Sequence, residues 1–199
     1  MDAVEGPDRL WALVQSGDAD AFARVYDLHA GRIFNHCYRR ILSRQDAEDL
    51  TAEVFALAWR KRTEIRLVDQ VGGLPWLLVT ANHLMHRHRL SAVRSRALRS
   101  RIPAQEPGPD HAGMIVERID DDHTLALIAS VLGTLSRRDR DVVQLCVIEG
   151  LTPTQVATAS GEPASSVRSR LSRALAKARR EYRVRLDAAA TLPTGRVSE

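Results

Sequence analysis

The sequence predicts an all-α protein built from two small helical domains, and three observations carry that expectation. Apolar residues recur at three- and four-residue spacing in both halves, no run alternates with period two for long enough to make a strand, and turn-forming residues separate the periodic runs. The first helix carries Phe22, Val25, Tyr26, His29, Ile33 and Cys37 on one face. Ser43 is placed to cap a second helix, with Ala47, Leu50, Val54 and Leu57 in register. Gly72-Gly73 break the chain, and Pro75 suits the first turn of a third helix. That helix keeps Leu74, Leu77, Leu78, Ala81, Leu84 or Met85, and His88 on one side.

The C-terminal half follows the same logic. Leu125, Ile128, Val131, Leu132 and Leu135 form an apolar stripe, and Ser136 is placed to cap a helix bearing Val142, Val143, Cys146 and Val147 that stops at Gly150. Thr152-Pro153-Thr154-Gln155 reads as a capping box with proline at the first helical position. The short helix it opens ends near Ser160-Gly161, and a longer one follows with Val167, Leu171, Leu175 and Ala178 on its apolar face.

Charge divides the 199 residues more sharply than hydropathy does. The formal net charge is only +4 and the pI about 9.6, but six arginines and no acid fall between Met85 and Arg101. Ile102 to Thr124 holds six acids against Arg118, together with Pro103, Pro107, Gly108, Pro109 and Gly113. Ser165 to Arg185 holds eight basic residues against Glu181. The expected organisation is therefore a helical domain over 1–101, a flexible acidic linker over 102–121, a second helical domain over 122–187 and a disordered tail over 188–199, where Pro193 and Gly195 fall.

Several classes are excluded. Cys37 and Cys146 lie too far apart for a CxxC knuckle or a dense disulfide framework, and each is expected to be a buried free thiol. The start has neither a basic n-region nor an apolar h-region, and the longest strongly apolar stretch, Leu74 to Ala81, is too short to span a bilayer. The expected location is cytoplasmic, without membrane insertion. Asp46, Glu48, Asp49 and Glu53 crowd one helix start, where acids favour the helix dipole, and no second cluster matches them for metal or acid–base chemistry. His83, His86 and His88 sit among arginines, which oppose a bound cation. No catalysis and no cofactor are expected.

A short capped helix, a glycine turn and a longer amphipathic helix make a helix-turn-helix, whose second helix normally enters the major groove. Ser165, Ser166, Arg168, Ser169, Arg170 and Arg173 are its candidate DNA contacts. Small hydroxyls let the helix N-terminus approach phosphates, and arginines one turn later can reach guanine edges or phosphates.

The stretch from Glu149-Gly150-Leu151-Thr152 through Pro163, with Val167-Arg168-Ser169-Arg170-Leu171-Ser172-Arg173-Ala174, resembles region four of the extracytoplasmic-function (ECF) sigma factors of bacterial RNA polymerase. Gly17-Asp18-Ala19-Asp20-Ala21-Phe22, Asp46-Ala47-Glu48-Asp49-Leu50, Glu53-Val54-Phe55 and Ala58-Trp59-Arg60 resemble region two of that family, and Trp76-Leu77-Leu78 with Ala81-Asn82 its promoter-melting helix. The resemblance spans about Gly17 to Arg180 in the family's order.

It implies a protein that binds core RNA polymerase, places region four on the −35 element and captures the −10 element as unstacked bases. Asp49, Leu50, Glu53, Phe55, Trp59 and Arg60 would dock the polymerase. Asn82, His83, His86, Arg87 and Arg89, with the loop from Thr63 to Leu74, would hold the −10 element and its flank. Base flipping costs a few kcal/mol, which a pocket and a basic flank must offset. The family also implies an anti-sigma factor as a further partner. The sequence departs from the family pattern at Ser136, Pro153, Ser160 and Ser165, and His86 stands where aspartate is frequent. The alternative reading is a free-standing helix-turn-helix regulator acting without the polymerase; the long N-terminal half, with its acid-rich docking helix, speaks against it.

Overall fold

The computed structural model describes residues 7–68, 71–99, 127 and 130–190, and side chains are described outside 90–99 and 187–190. The expected linker over 102–121 and the tail residues 191–199 lie outside the described residues, as do Leu125 and Ile128 of the predicted stripe. The described chain is all-α; its single β-type pairing is an isolated bridge between Val68 and Gly72.

The N-terminal half holds α1 (Pro7–Ser16), α2 (Ala19–Ile41), α3 (Arg44–Arg60), a 3-10 turn (Arg62–Glu64) and α4 (Leu74–Arg99). Local chemistry sets most of these boundaries. Asp18 caps α2 by accepting from the Ala21 amide at 2.9 Å, and Ser43 caps α3 by accepting from the Asp46 amide at 3.3 Å. Helix α1 was not expected from the sequence. It is short, opens on Pro7 with Asp8 in its first turn, and forms because Leu10, Trp11 and Val14 gain a buried face against the rest of the domain.

Trp11 is fully buried and lies flat against the chain break before α4. A Cβ at Gly72 would stand 2.2 Å from Trp11 Cδ1, and one at Gly73 would stand 2.7 Å from Trp11 Cζ2. The two glycines are thus required by close approach, and Gly72 also sits at φ +55°, in the left-handed region.

The C-terminal half holds α5 (Arg137–Val143), a π-helical turn (Gln144–Ile148), α6 (Pro153–Ser160) and α7 (Ala164–Ala190). Ser136 caps α5, and Thr152 with Gln155 forms the reciprocal capping box at α6 with bonds of 3.2 and 2.8 Å. Gly161, at φ +73°, ends α6. The wide turn after α5 changes the predicted stripe. Val142, Val143, Gln144 and Leu145 are buried, Cys146 is half-buried, and Val147 and Ile148 are exposed. One extra residue in the turn advances the helix face by about 100°, so Val147 turns outward and Glu149 turns inward.

The two halves are packed on each other. One buried apolar cluster runs from Leu10, Trp11 and Val25 through Val54, Leu77 and Met85 into Val142, Leu145, Leu151, Val156 and Val167. A smaller cluster of Leu135, Val143 and Ala174 holds α7 against α5. Helix α4 and helix α6 form the main contact across the halves.

Candidate functional site

The recognition face of α7 is built on a buried keel. Val167 and Ala174 are buried and Leu171 is half-buried, which turns Ser165, Ser166, Arg168, Ser169 and Arg173 to solvent. Arg168, Ser169, Ser172 and Arg173 line one shallow concavity. Arg170 differs from its neighbours: Nη1 donates to Glu162 Oε2 at 2.8 Å, and its side chain is only 20 % exposed. The turn between α6 and α7 thus ties down one of the three arginines expected to contact DNA.

The candidate −10 helix splits into two faces. His83 and Arg87 face solvent, whereas Asn82 is buried and His86 half-buried on the side turned to the C-terminal half. The exposed Arg89 donates from Nη2 to the Arg40 carbonyl at 2.6 Å. Desolvation, with the Arg137 charge next, lowers the His86 pKa from its ordinary value, while Asp141 acts in the opposite sense. Both of those charges come from α5. The arginines of the basic run beyond Arg89 lie outside the described side chains.

Behind Asn82 lies a buried polar knot that joins the halves and that sequence reasoning missed. Glu149 is buried at the inward end of the π turn and accepts from Arg32 Nε at 3.1 Å and Arg39 Nη2 at 3.0 Å. His36 is fully buried between them, with Nδ1 at 3.0 Å from Glu149 Oε1 and Nε2 at 3.0 Å from Asn82 Oδ1. Arg40 donates to the same Asn82 oxygen at 2.6 Å and pairs with Asp141 at 2.7 Å. Burial pushes the Glu149 pKa up, but hydrogen bonds from His36 and Arg32 and the neighbouring charges outweigh it and hold the carboxyl below its ordinary value. No short-range pattern announces this knot, because its bonds join segments 42 to more than a hundred residues apart in the chain.

The loop after α3 is braced from α1. Gln15 Nε2 donates to the Ile65 carbonyl at 2.8 Å, Val68 and Gly72 exchange both backbone bonds, and Trp11 covers the Gly72-Gly73 backbone. Within the loop, residues 69–70 lie outside the described residues.

The proposed docking residues lie on α3, but not on one surface. Leu50 is buried in the domain core, because it shares the inner face of α3 with Ala47, Thr51 and Val54. Asp49, Glu53 and Arg60 are exposed and Trp59 is half-buried. Phe55 and Trp59 line an open apolar groove between α2 and α3, and Ala19, Phe22 and Tyr26 of α2 form its other wall. Ring contacts knit it together, with Phe22 to Trp59 at 5.0 Å and Tyr26 to Phe55 at 4.7 Å between centroids. The α2 wall was legible in part, since Phe22 and Tyr26 share the apolar periodicity, and the 44 % exposure of Tyr26 marks it as more than core.

Among the described residues no group of three or more His, Cys, Asp or Glu side chains is arranged to hold a metal ion. Cys37 and Cys146 are free, and burial pushes the Cys37 thiol up to about 12. No helix among the described residues is long and apolar enough to cross a membrane.

Residues 125–177 match the family profile for sigma-70, region 4. Over 172 residues the chain is 28% identical to the ECF RNA polymerase sigma factor SigK of Mycobacterium sp. (strain KMS), covering 82% of this chain and 84% of the relative. Identity to ECF RNA polymerase sigma factor SigE of Mycolicibacterium smegmatis is 32% over 73% of this chain and 55% of that relative. The chain belongs to the extracytoplasmic-function sigma-factor family. Among solved structures, the sigma factor shares its fold with CnrH in complex with the cytosolic domain of CnrY, with a TM-score of 0.57 and 23% identity over 90% of this chain and 96% of that one. It shares it equally with RpoE of Bartonella quintana in complex with the anti-sigma factor NepR, with a TM-score of 0.57 and 18% identity over 83% of this chain and 99% of that one.

Proposed function

We propose that this sigma factor binds core RNA polymerase through the α2–α3 groove, reads a −35 element with α7 and captures a −10 element with α4 and the loop from Thr63 to Leu74. The groove carries the proposal. It is an open apolar surface walled by Phe22, Tyr26, Phe55 and Trp59, on a helix that also carries the exposed Glu53 and Arg60. An open apolar cleft suits a protein partner, and a regulator that acts on DNA alone has no use for it.

Division of labour follows from the chemistry of each face. Arg168 and Arg173 are exposed and positioned for base edges or phosphates, while Arg170 orders the turn through Glu162 and reaches DNA only if that pair opens. On α4, His83 and Arg87 are accessible in this arrangement; His86 faces Arg137 and Asp141 of the C-terminal half and is freed when that half moves away, and Asn82 is held by His36 and Arg40 of α2, which themselves pair with Glu149 and Asp141 of that half. Promoter engagement by both helices at once therefore requires the halves to separate. An anti-sigma factor that stabilises the packed arrangement would oppose that separation.

Run-off transcription with purified core polymerase on a pool of genomic promoters tests the reading. Discrete transcripts that depend on the chain, and that vanish with Arg168→Ala plus Arg170→Ala, are expected. Duplex binding by the chain alone, with no polymerase binding and no transcripts, would instead establish the free-standing regulator.

A further inference from the structure

We propose that Arg32, Arg39 and Arg40 on α2, with the amide of Asn82, form a binding site for the sugar–phosphate backbone of promoter DNA, covered in the packed arrangement by the carboxylates of Glu149 and Asp141. This rests on the reading of the chain as a promoter-binding protein and adds a contact surface on α2 that the reading does not contain.

Arg32, His36, Arg39 and Arg40 fall at helical spacing on one face of α2. Three guanidinium groups gathered on one helix face favour an anion over it. In the packed arrangement two carboxylates supply it: Arg32 and Arg39 hold Glu149, and Arg40 holds Asp141. Guanidinium groups recognise carboxylate and phosphate oxygens with the same fork geometry. The covering groups therefore display the chemistry that the face accepts.

Two observations carry the site beyond a simple latch between the halves. Asn82 is 6% exposed, and its Nδ2 has no hydrogen-bond partner among the described residues although its oxygen has two. A surface built only for docking would satisfy that donor; a ligand that arrives when Glu149 leaves has a use for it. The face is also continuous with the candidate −10 helix, since Arg89 reaches the Arg40 carbonyl. A strand held along α4 at His86 and Arg89 would run directly onto Arg40 and Arg39. Arg32 and Arg39 remain 41% and 50% exposed, so the edge of the site is open even while the halves are packed.

The test uses the full-length chain and a mixed-sequence single-stranded DNA, titrated over a range of salt concentrations. Glu149→Gln removes the covering charge and should raise affinity several-fold. Adding Arg32→Ala and Arg39→Ala in that same background should then lower it about tenfold and make the log–log salt dependence shallower by roughly 1.4, about 0.7 for each lost phosphate contact. Arginines that serve only to hold the halves together would, once removed, loosen the packed arrangement and leave affinity unchanged or raised, and that result overturns the site. Arg39→Ala alone, at a half-exposed position that leaves the core untouched, should give half the change in slope. Lower affinity from Glu149→Gln would also overturn the proposal. Run-off transcription separates the two levels: a wild-type chain that initiates at promoters while the arginine variants keep their salt slope loses the α2 site but keeps the sigma reading.

Discussion

Helix α7 and helix α4 carry the same kind of surface, arginine with small polar residues, yet the fold presents them differently. Arg168, Ser169 and Arg173 of α7 stand in solvent. Asn82 of α4 is sealed behind His36, Arg40 and Glu149, and His86 is half-covered by α5. The basic face that is left open belongs to the half whose acids do the covering. The contrast shows that exposure of a nucleic-acid face is set by where the neighbouring half puts its carboxylates, and is not fixed by composition alone.

The largest expected effect concerns what keeps the covered side rigid. Trp11→Ala removes a fully buried indole from the Gly72-Gly73 backbone, and large-to-small changes of this kind cost about 3–5 kcal/mol. Urea unfolding should register the loss, and an unchanged midpoint would mean that α1 does not support the loop before α4.

Next comes the knot itself. Glu149→Gln should weaken the contact between the halves by about 1.5–3 kcal/mol, the usual worth of hydrogen bonds to a charged group. The pH dependence has a definite sign. The Glu149 pKa is held below its ordinary 4.5 in the packed arrangement, so its contribution is fully present above that value and is lost as pH falls through the lowered one. The charged and polar groups facing it are Arg32, His36 and Arg39 on α2, with Asn82 of α4 and the Gln144 side chain reached through His36. Distance between fluorophores placed on the two halves should rise in acid for the wild type. In Glu149→Gln it should already be longer near neutrality, with no acid step from this group.

The open helix offers a finer comparison within itself. Arg168→Ala should reduce −35 duplex binding by about 1–3 kcal/mol if it reads a base, measured by competition against an altered −35 sequence. Arg170→Ala should change binding less and stability more, since its partner in the structure is Glu162. Equal losses of specificity from both would show that the Arg170–Glu162 pair opens on DNA.

What the sequence made legible follows from what is local. The caps at Ser43, Ser136 and Thr152, the break at Gly72-Gly73 and the keel of α7 at Val167 are set within a few residues of each other, and the structure places each as expected. Leu50 belongs both to the apolar register of α3 and to the docking residues the resemblance implies, and it is buried, because an amphipathic stripe does not say which apolar residues stop at the groove and which go beneath it. The π turn escaped the periodicity altogether: Val147 continues an α-helical register on paper, and one extra residue in three dimensions exchanges it for Glu149. The knot at His36 and Asn82 depends on that exchange and on contacts between distant segments, so only the fold could reveal it.

The smallest effect decides whether the two halves behave as one body in solution. Thr152→Ala deletes a single cap of α6 and should cost about 1 kcal/mol. Leu151, Val156 and Ala157 beside it belong to the apolar cluster that also contains Trp11 and Leu77. If that cluster unfolds as a unit, the loss lowers the midpoint of one thermal transition seen equally from either half. Were the halves independent, the N-terminal transition would stay where it is and only a C-terminal one would shift. Calorimetry of Thr152→Ala alongside Glu149→Gln separates the cases, since splitting the single transition in the second variant alone would locate the coupling in the knot rather than in the apolar contact between α4 and α6.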